Sequence, residues 1–119
     1  MYIRLLLLST LLLLSACNKT EDSIQVNTPF QVAIVAMSKD FQIEISNLNI
    51  LQELSDVESP NAAKVTIEQF GLLDDSTSAI KDIFILSFDQ GQWITQERGT
   101  LYKCYHGGGA NDFSSELCK

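Results

Sequence analysis

Few side chains in this sequence are suited to covalent, acid–base or metal chemistry. The sequence contains three cysteines, Cys17, Cys104 and Cys118, and a single histidine, His106. Any Ser–His–Asp or Cys–His catalysis would therefore have to use His106, which is followed directly by three glycines. No G-x-S-x-G nucleophile motif is present. We expect no catalytic residues and no enzyme activity.

A metal site near the carboxyl terminus would have to draw on Cys104, His106, Asp112 and Cys118. Structural zinc prefers Cys and His residues in pairs at short spacing, and these four residues do not form such pairs. The aspartates elsewhere also lack the alternating spacing of a calcium loop. The sequence therefore predicts neither a bound metal nor another cofactor.

The first cysteine stands at the end of a segment with the features of an export signal. Arg4 and the terminal amine precede the apolar run from Leu5 to Leu14, and the small residues Ser15 and Ala16 follow it. This order is typical of a secretory signal peptide. A membrane-spanning helix needs about 20 apolar residues, and polar residues follow Cys17 too soon for that.

The junction Leu14-Ser15-Ala16-Cys17 resembles the lipobox of bacterial lipoproteins. The resemblance covers about the first eighteen residues. It implies that signal peptidase II cleaves before Cys17, that the Cys17 thiol carries a diacylglycerol, and that a fatty acid such as palmitate acylates the new amine. Asn18 follows the cysteine, where an aspartate would indicate inner-membrane retention. The resemblance therefore implies attachment to the outer membrane, facing the periplasm, in an organism that has one. The alternative is an ordinary secretory leader with a chance cysteine.

Cysteine parity points to a disulfide near the carboxyl terminus. Once lipid occupies Cys17, Cys104 and Cys118 remain as an even pair in an oxidising compartment. Closing a loop of this length contributes about 3 kcal/mol in the chain-entropy model. We expect these two residues to be bonded.

The charge balance restricts the possible partners. The net charge is −7, and removal of residues 1–16 would take away Arg4 but no acidic residue, leaving −8. Nucleic-acid binding depends on Lys and Arg contacts to phosphate, so this excess argues against it. An acidic surface suits a basic protein partner, and it also serves solubility alone.

The expected organisation is a signal peptide over residues 1–16, a lipidated cysteine and flexible tether over 17–28, and one small domain over 29–119. We expect an α+β fold made mainly of antiparallel strands. The expectation includes a carboxy-terminal β-hairpin, one or two short helices at most, and a carboxy-terminal disulfide loop.

The first half of this domain gives three segment predictions. Residues 30–37 are rich in β-branched side chains and favour a strand, although Thr28 as cap and Pro29 in the first turn would suit a helix. Residues 41–45 alternate apolar and polar side chains, which predicts a strand. Apolar residues recur every third position over 48–57, which predicts a short amphipathic helix ending before Pro60.

The second half reads more plainly as β-structure. A strand around residues 65–67 ends at Gly71, and a polar turn follows over 74–76. Residues 80–88 and 93–95 then flank the sequence Asp-Gln-Gly-Gln, which predicts a hairpin with Gly91 in a G1 bulge. Phe88 and Trp93 face each other across the turn in this reading. Gly99 predicts a second break, followed over 101–105 by a further strand or by the same strand continuing after a bend.

Two functional classes remain. The first is a membrane-anchored binding or structural module of the cell envelope, with a protein partner there, acting through a sheet face, a sheet edge or a loop. The candidate binding loop consists of Tyr105, His106, Gly107, Gly108 and Gly109, held beside the hairpin by the expected disulfide. The alternative is a periplasmic inhibitor of a basic secreted hydrolase such as lysozyme, which the acidic charge would suit.

The lipobox resemblance predicts that Cys17→Ser abolishes both lipid attachment and membrane association. The thioether requires the Cys17 thiol, and buried acyl chains contribute about 0.8 kcal/mol per methylene to membrane binding. Radiolabelled palmitate followed by membrane fractionation measures both effects. An unlabelled wild-type protein, or a membrane-bound Cys17→Ser variant, would contradict the prediction.

Overall fold

A computed structural model of the chain describes residues 28–107 and 112–119. The expected signal peptide, Cys17 and all but the last residue of the tether lie outside these residues, as do Gly108 and Gly109 of the candidate loop. The elements in chain order are α1 (Pro29–Met37), a 3-10 helix (Ser38–Asp40), β1 (Asn47–Leu54), β2 (Ala62–Phe70), β3 (Thr77–Asp89) and β4 (Gln92–Cys104). The strands form one antiparallel sheet in the order β1-β2-β3-β4. A small, mainly antiparallel domain with one short α-helix is confirmed.

Residues 29–37 are helical, so the strand prediction for this segment is wrong and the helical alternative is correct. The Thr28 hydroxyl accepts the Gln31 N–H at 3.2 Å, and the Gln31 side chain accepts the Thr28 N–H at 3.1 Å. This reciprocal cap satisfies two backbone donors, and Pro29 suits the first helical position. Pro29, Ala33 and Met37, spaced four residues apart, are buried. Capping and this one-sided burial outweigh the β-branched composition.

The next two segment predictions are also wrong. Residues 41–46 form no strand: Gln42 has a φ of 54° and its N–H donates to the Gln69 side chain at 2.8 Å. The alternating isoleucines of this segment are turned to solvent, with Ile43 80% and Ile45 94% exposed. The expected helix over 48–57 is strand β1, all eight of whose residues pair with β2.

The hairpin between β3 and β4 is confirmed, with a different turn. Asp89 and Gln92 are paired, and both intervening residues have positive φ, 49° at Gln90 and 77° at Gly91. Positive φ at both positions is what a two-residue type I′ turn requires, so no G1 bulge is needed. Phe88 and Trp93 face each other across the strands, as expected, with ring centroids 5.2 Å apart and ring planes tilted by 52°.

Strand β4 runs without a break through Gly99, contrary to the sequence prediction. One of the two irregularities in the β3–β4 pairing lies three residues earlier, where Thr95 pairs with Leu86 and Glu97 with Ile85, leaving Gln96 as the extra residue of a bulge. Gly99 therefore does not end the strand. Glycine can adopt the extended backbone conformation of a strand, and the only cost is the larger conformational entropy that it loses on folding.

The core lies between α1 and the middle of the sheet. Its members are each at most 1% exposed and come from the helix and strands β2 and β3: Ala33, Met37, Val65, Ile67, Phe84 and Leu86. Val65 and Phe84 are directly paired across β2 and β3, and so place two large side chains under the helix. Among the described residues no helix is long and apolar enough to cross a membrane.

One buried carboxylate ties the helix to the sheet. Asp82 on β3 is 2% exposed, and its Oδ1 accepts from Arg98 Nη2 at 2.9 Å, Arg98 Nε at 3.1 Å and the Thr100 hydroxyl at 2.8 Å. The same guanidinium donates to the carbonyl of Ala36 at 3.4 Å and lies 3.7 Å from the Asp40 carboxylate. Arg98 therefore joins β3, β4, the end of α1 and the 3-10 helix.

We predict that Arg98→Ala lowers the free energy of unfolding by about 2–3 kcal/mol, because it leaves the buried Asp82 carboxylate without its charged donor. Lys64→Ala is the matched control. Its ammonium lies 3.9 Å from the Glu53 carboxylate in a pair that is about half exposed, so its loss should cost less than ~0.5 kcal/mol. Urea denaturation of the mature domain measures both. Equal effects of the two substitutions would contradict the assignment.

Candidate binding edge of the sheet

The carboxy-terminal segment contacts one edge of the sheet, at a single residue near the end of β4. Alongside β4, Ser114 forms a bridge with Tyr102 through two backbone hydrogen bonds of 2.7 and 2.9 Å. The Cys104–Cys118 disulfide, expected from the sequence, fastens this segment to the end of β4. Lys81 also lies over the Phe113 ring at 3.8 Å. No described segment lies alongside β1, so its outer edge is open within residues 28–107 and 112–119.

The register identifies which backbone groups of β1 face outward. The Ser55 N–H donates to the Ala62 carbonyl at 2.9 Å, in line with the β1–β2 pairing. In an antiparallel pair, hydrogen-bonded and non-hydrogen-bonded positions alternate. Odd-numbered residues of β1 therefore direct their N–H and C=O groups toward β2. The even-numbered residues direct theirs toward the open edge: Leu48, Ile50, Gln52 and Leu54.

Strand β1 carries none of the usual devices that discourage edge pairing. Proteins commonly protect an exposed edge with proline, lysine, a bulge or a very short strand. The sequence of β1, Asn-Leu-Asn-Ile-Leu-Gln-Glu-Leu, contains eight residues, no proline and no lysine, and its pairing with β2 has no irregularity. Its one charged side chain is Glu53. This edge is therefore available for pairing with another strand.

The side chains around this edge are unusually apolar for a surface. All eight residues of β1 are exposed. Leu48, Ile50 and Leu54 lie on the helix side of the sheet at 39–40% exposure, and Leu51 lies on the other face at 53%. Residues 43–57 supply seven of the fifteen exposed large apolar side chains in the described part of the chain. Such concentrations mark interaction surfaces more often than isolated exposed leucines do.

Gln52 holds this edge strand against the helix. Its side-chain oxygen accepts the N–H of Phe30, at the start of α1, at 3.0 Å. The bond satisfies one of the orphan donors of the helix terminus. It uses only the side chain of Gln52, so the outward backbone groups of β1 remain available.

The structure describes the first three residues of the candidate loop near the carboxyl terminus, Tyr105, His106 and Gly107. Tyr105 and His106 follow β4, with ring centroids 6.4 Å apart, and Gly107 has a φ of 90°. The Tyr105 hydroxyl donates to the Leu72 carbonyl at 2.6 Å, which fastens the start of the loop to the segment after β2. His106 and Gly107 are exposed. A binding role for Tyr105, His106 and Gly107–Gly109 stays a prediction.

Two small cavities lie on the helix side of the sheet, below the 3-10 helix. Their volumes are about 210 and 260 Å³, and they share the lining residues Asp40, Ile43, Gln69 and Ile80. One polar side chain between them is engaged within the protein: the Gln69 amide donates to the Asp40 carbonyl at 3.3 Å and accepts from the Gln42 N–H.

Asp74, at the rim of the smaller cavity, serves the turn before β3. Its carboxylate accepts from the Thr77 N–H at 2.8 Å, and from the N–H and hydroxyl of Ser76 at 2.7 and 2.9 Å. These hydrogen bonds, the Thr77 N–H first, lower the pKa of Asp74 from its ordinary 3.8. Within the described ranges no three His, Cys, Asp or Glu side chains converge to hold a metal ion.

Comparison with known proteins adds no family to this description. The chain matches no protein-family model, and it matches neither a curated protein nor a solved structure. The candidate site therefore depends on the geometry of this sheet alone.

Proposed function

We propose that this protein is a lipid-anchored, non-enzymatic binding and structural module of the cell envelope, which engages its partner by strand addition at β1. The observation that carries the proposal is the open, unprotected edge of an eight-residue strand with apolar side chains on both faces. Strand addition derives affinity from backbone hydrogen bonds and specificity from alternate side chains. The edge of β1 offers both.

The energetics favour such a role over an inert surface. Each hydrogen bond made at the edge contributes about 0.5–1.5 kcal/mol net, and a pairing strand would add contacts to the half-exposed leucines. Four outward-facing residues each present one donor and one acceptor. An extended segment can satisfy all of them without any change in the sheet.

The lipid anchor supports the same role. Cys17, the expected site of lipid attachment, precedes Asn27 by ten residues in the sequence. The next residue, Thr28, caps α1 on the helix side of the sheet. Attachment to a membrane raises the local concentration of a module relative to other membrane proteins, so even weak edge pairing is effective. The anchor and the open edge therefore act together in this proposal.

Inhibition of a basic hydrolase is the less favoured function. That role rests on the acidic net charge, and a contact surface for a basic enzyme should itself be acidic. The β1 edge instead carries the single carboxylate of Glu53, with the Lys64 ammonium 3.9 Å away. The chemistry of this edge fits an extended apolar strand better than a basic active site.

We predict that Ile50→Lys disrupts partner binding. A lysine on an edge strand opposes pairing, and the position is already 40% exposed, so folding should be retained. The measurement is site-specific photo-cross-linking in cells, from a benzoyl-phenylalanine placed at Asn49 of the anchored protein. Discrete adducts should form, and Ile50→Lys should reduce them about tenfold, the effect of losing about 1.4 kcal/mol of binding.

The matched control is Ile94→Lys. Ile94 is a strand isoleucine of similar exposure, 42%, on β4 at the other side of the sheet. Its substitution should leave the adducts unchanged. Absence of adducts from Asn49 in the wild-type background, or equal loss in both variants with both folded, would refute binding through β1.

A further inference from the structure

We infer that the strand added at β1 is the β1 strand of a second copy of this chain, paired antiparallel across a two-fold axis. The inference rests on the proposed function and names its partner. The two sheets would then join into one continuous sheet of eight strands. The register, the side chains and the placement of α1 all suit this pairing.

Only one register uses every outward-facing group of both strands. Hydrogen-bonded pairs must join even-numbered residues of one copy to even-numbered residues of the other, because these carry the outward backbone groups. In one register the four outward residues of each copy pair only with the four outward residues of the other. That register places Leu48 opposite the partner's Leu54 and Ile50 opposite the partner's Gln52. A shift by two residues in either direction leaves one of the four without an even-numbered partner inside the strand.

The side chains agree with this register. On the helix side, Leu48 and Leu54 meet twice across the axis, and each is about 40% exposed in the isolated chain. On the other face the axis passes through Leu51, which is 53% exposed and would contact the partner's Leu51. Directly opposed apolar pairs each contribute about 0.2–1 kcal/mol.

The one charge on the strand is also accommodated. In this register Glu53 stands opposite the partner's Asn49, so the two carboxylates do not oppose each other. Like charges placed directly opposite each other destabilise a sheet. Pairing β1 with a second β1 in this register therefore avoids repulsion between the two Glu53 carboxylates.

The symmetry is compatible with two lipid anchors in one membrane. A two-fold axis that relates antiparallel edge strands in one continuous sheet is perpendicular to that sheet, so it keeps both helices on the same side. Thr28, at which the described part of the chain begins, caps α1 on that side in both copies. The described part of each chain therefore begins on the same face of the assembled sheet.

The test uses Leu51→Cys in the full-length, membrane-anchored protein. Leu51 occupies a non-hydrogen-bonded position on the axis, where paired Cα atoms lie about 4.5 Å apart, within the range that a disulfide spans. We expect a covalent dimer on non-reducing gels. The control is Leu73→Cys, which introduces a thiol on an exposed loop, and its dimer should be about tenfold less abundant. Dimer at the same low level from both variants would overturn the inference.

A second pair of variants tests the register itself. Asn49→Cys and Glu53→Cys should each form little dimer alone. In this register the same residue in the two copies is offset along the strands by four positions, about 13 Å. Co-expression of the two should give a covalent heterodimer, because Asn49 opposes the partner's Glu53. Cross-linking of either variant alone as strong as the mixture would overturn the register, even where Leu51→Cys fails to fold.

Failure of this inference is distinguishable from failure of the proposed function. Photo-adducts from Asn49 with the mass of two chains support the second copy. Adducts of other masses only, with no Leu51→Cys dimer, overturn the inference and leave strand addition to another envelope protein in place. Absence of both adducts and disulfide dimers overturns both.

Discussion

The backbone hydrogen-bonding groups of the two edge strands are the main constraint on this antiparallel sheet. Every strand inside the sheet has neighbours on both sides, whereas an edge strand presents a row of donors and acceptors. At β4 the carboxy-terminal segment pairs with one residue, Tyr102, next to the disulfide, and the bulge at Gln96 interrupts the strand. At β1 the described residues provide neither a paired segment nor a bulge. This regular, unprotected edge makes β1 the candidate site.

The rest of the fold holds this open edge in a fixed orientation. Phe84 and Val65 form the centre of the packing between helix and sheet. Arg98 links the buried carboxylate of Asp82 to the end of α1, and Gln52 links the start of α1 to β1. Both ends of a nine-residue helix are thereby attached to different strands. The edge strand is thus positioned by contacts that leave its outward backbone groups without a partner among residues 28–107 and 112–119.

Much of the second half of the fold was predictable from the sequence, and the site was not. The hairpin with Phe88 and Trp93 has local signals at every step: β-prone runs, a glycine in the turn and paired aromatics. The disulfide followed from cysteine parity once Cys17 was assigned to lipid. These features depend on neighbours close in sequence or on counting, so tertiary structure could not easily override them.

The failures concentrate on residues 41–57, and they share a physical cause. Leu48, Leu51 and Leu54 suggest helical periodicity because Leu51 and Gln52 interrupt the alternation of apolar and polar side chains along the strand. Ile43 and Ile45 alternate as a strand would, yet both are turned to solvent beside a positive φ at Gln42. Patterning rules assume that apolar residues face the chain's own core, and they fail in this segment because its apolar side chains are exposed.

Amide hydrogen exchange across β1 shows whether its outward backbone groups gain a partner strand. In the isolated, unanchored domain we expect alternating protection, with slow exchange at Asn49, Leu51 and Glu53 and fast exchange at Leu48, Ile50, Gln52 and Leu54. In the membrane-anchored protein the four fast amides should become protected together, because a second strand then accepts from them. Uniform protection of β1 in the isolated domain, or fast exchange at those four amides in the anchored protein, would contradict an edge built for strand addition.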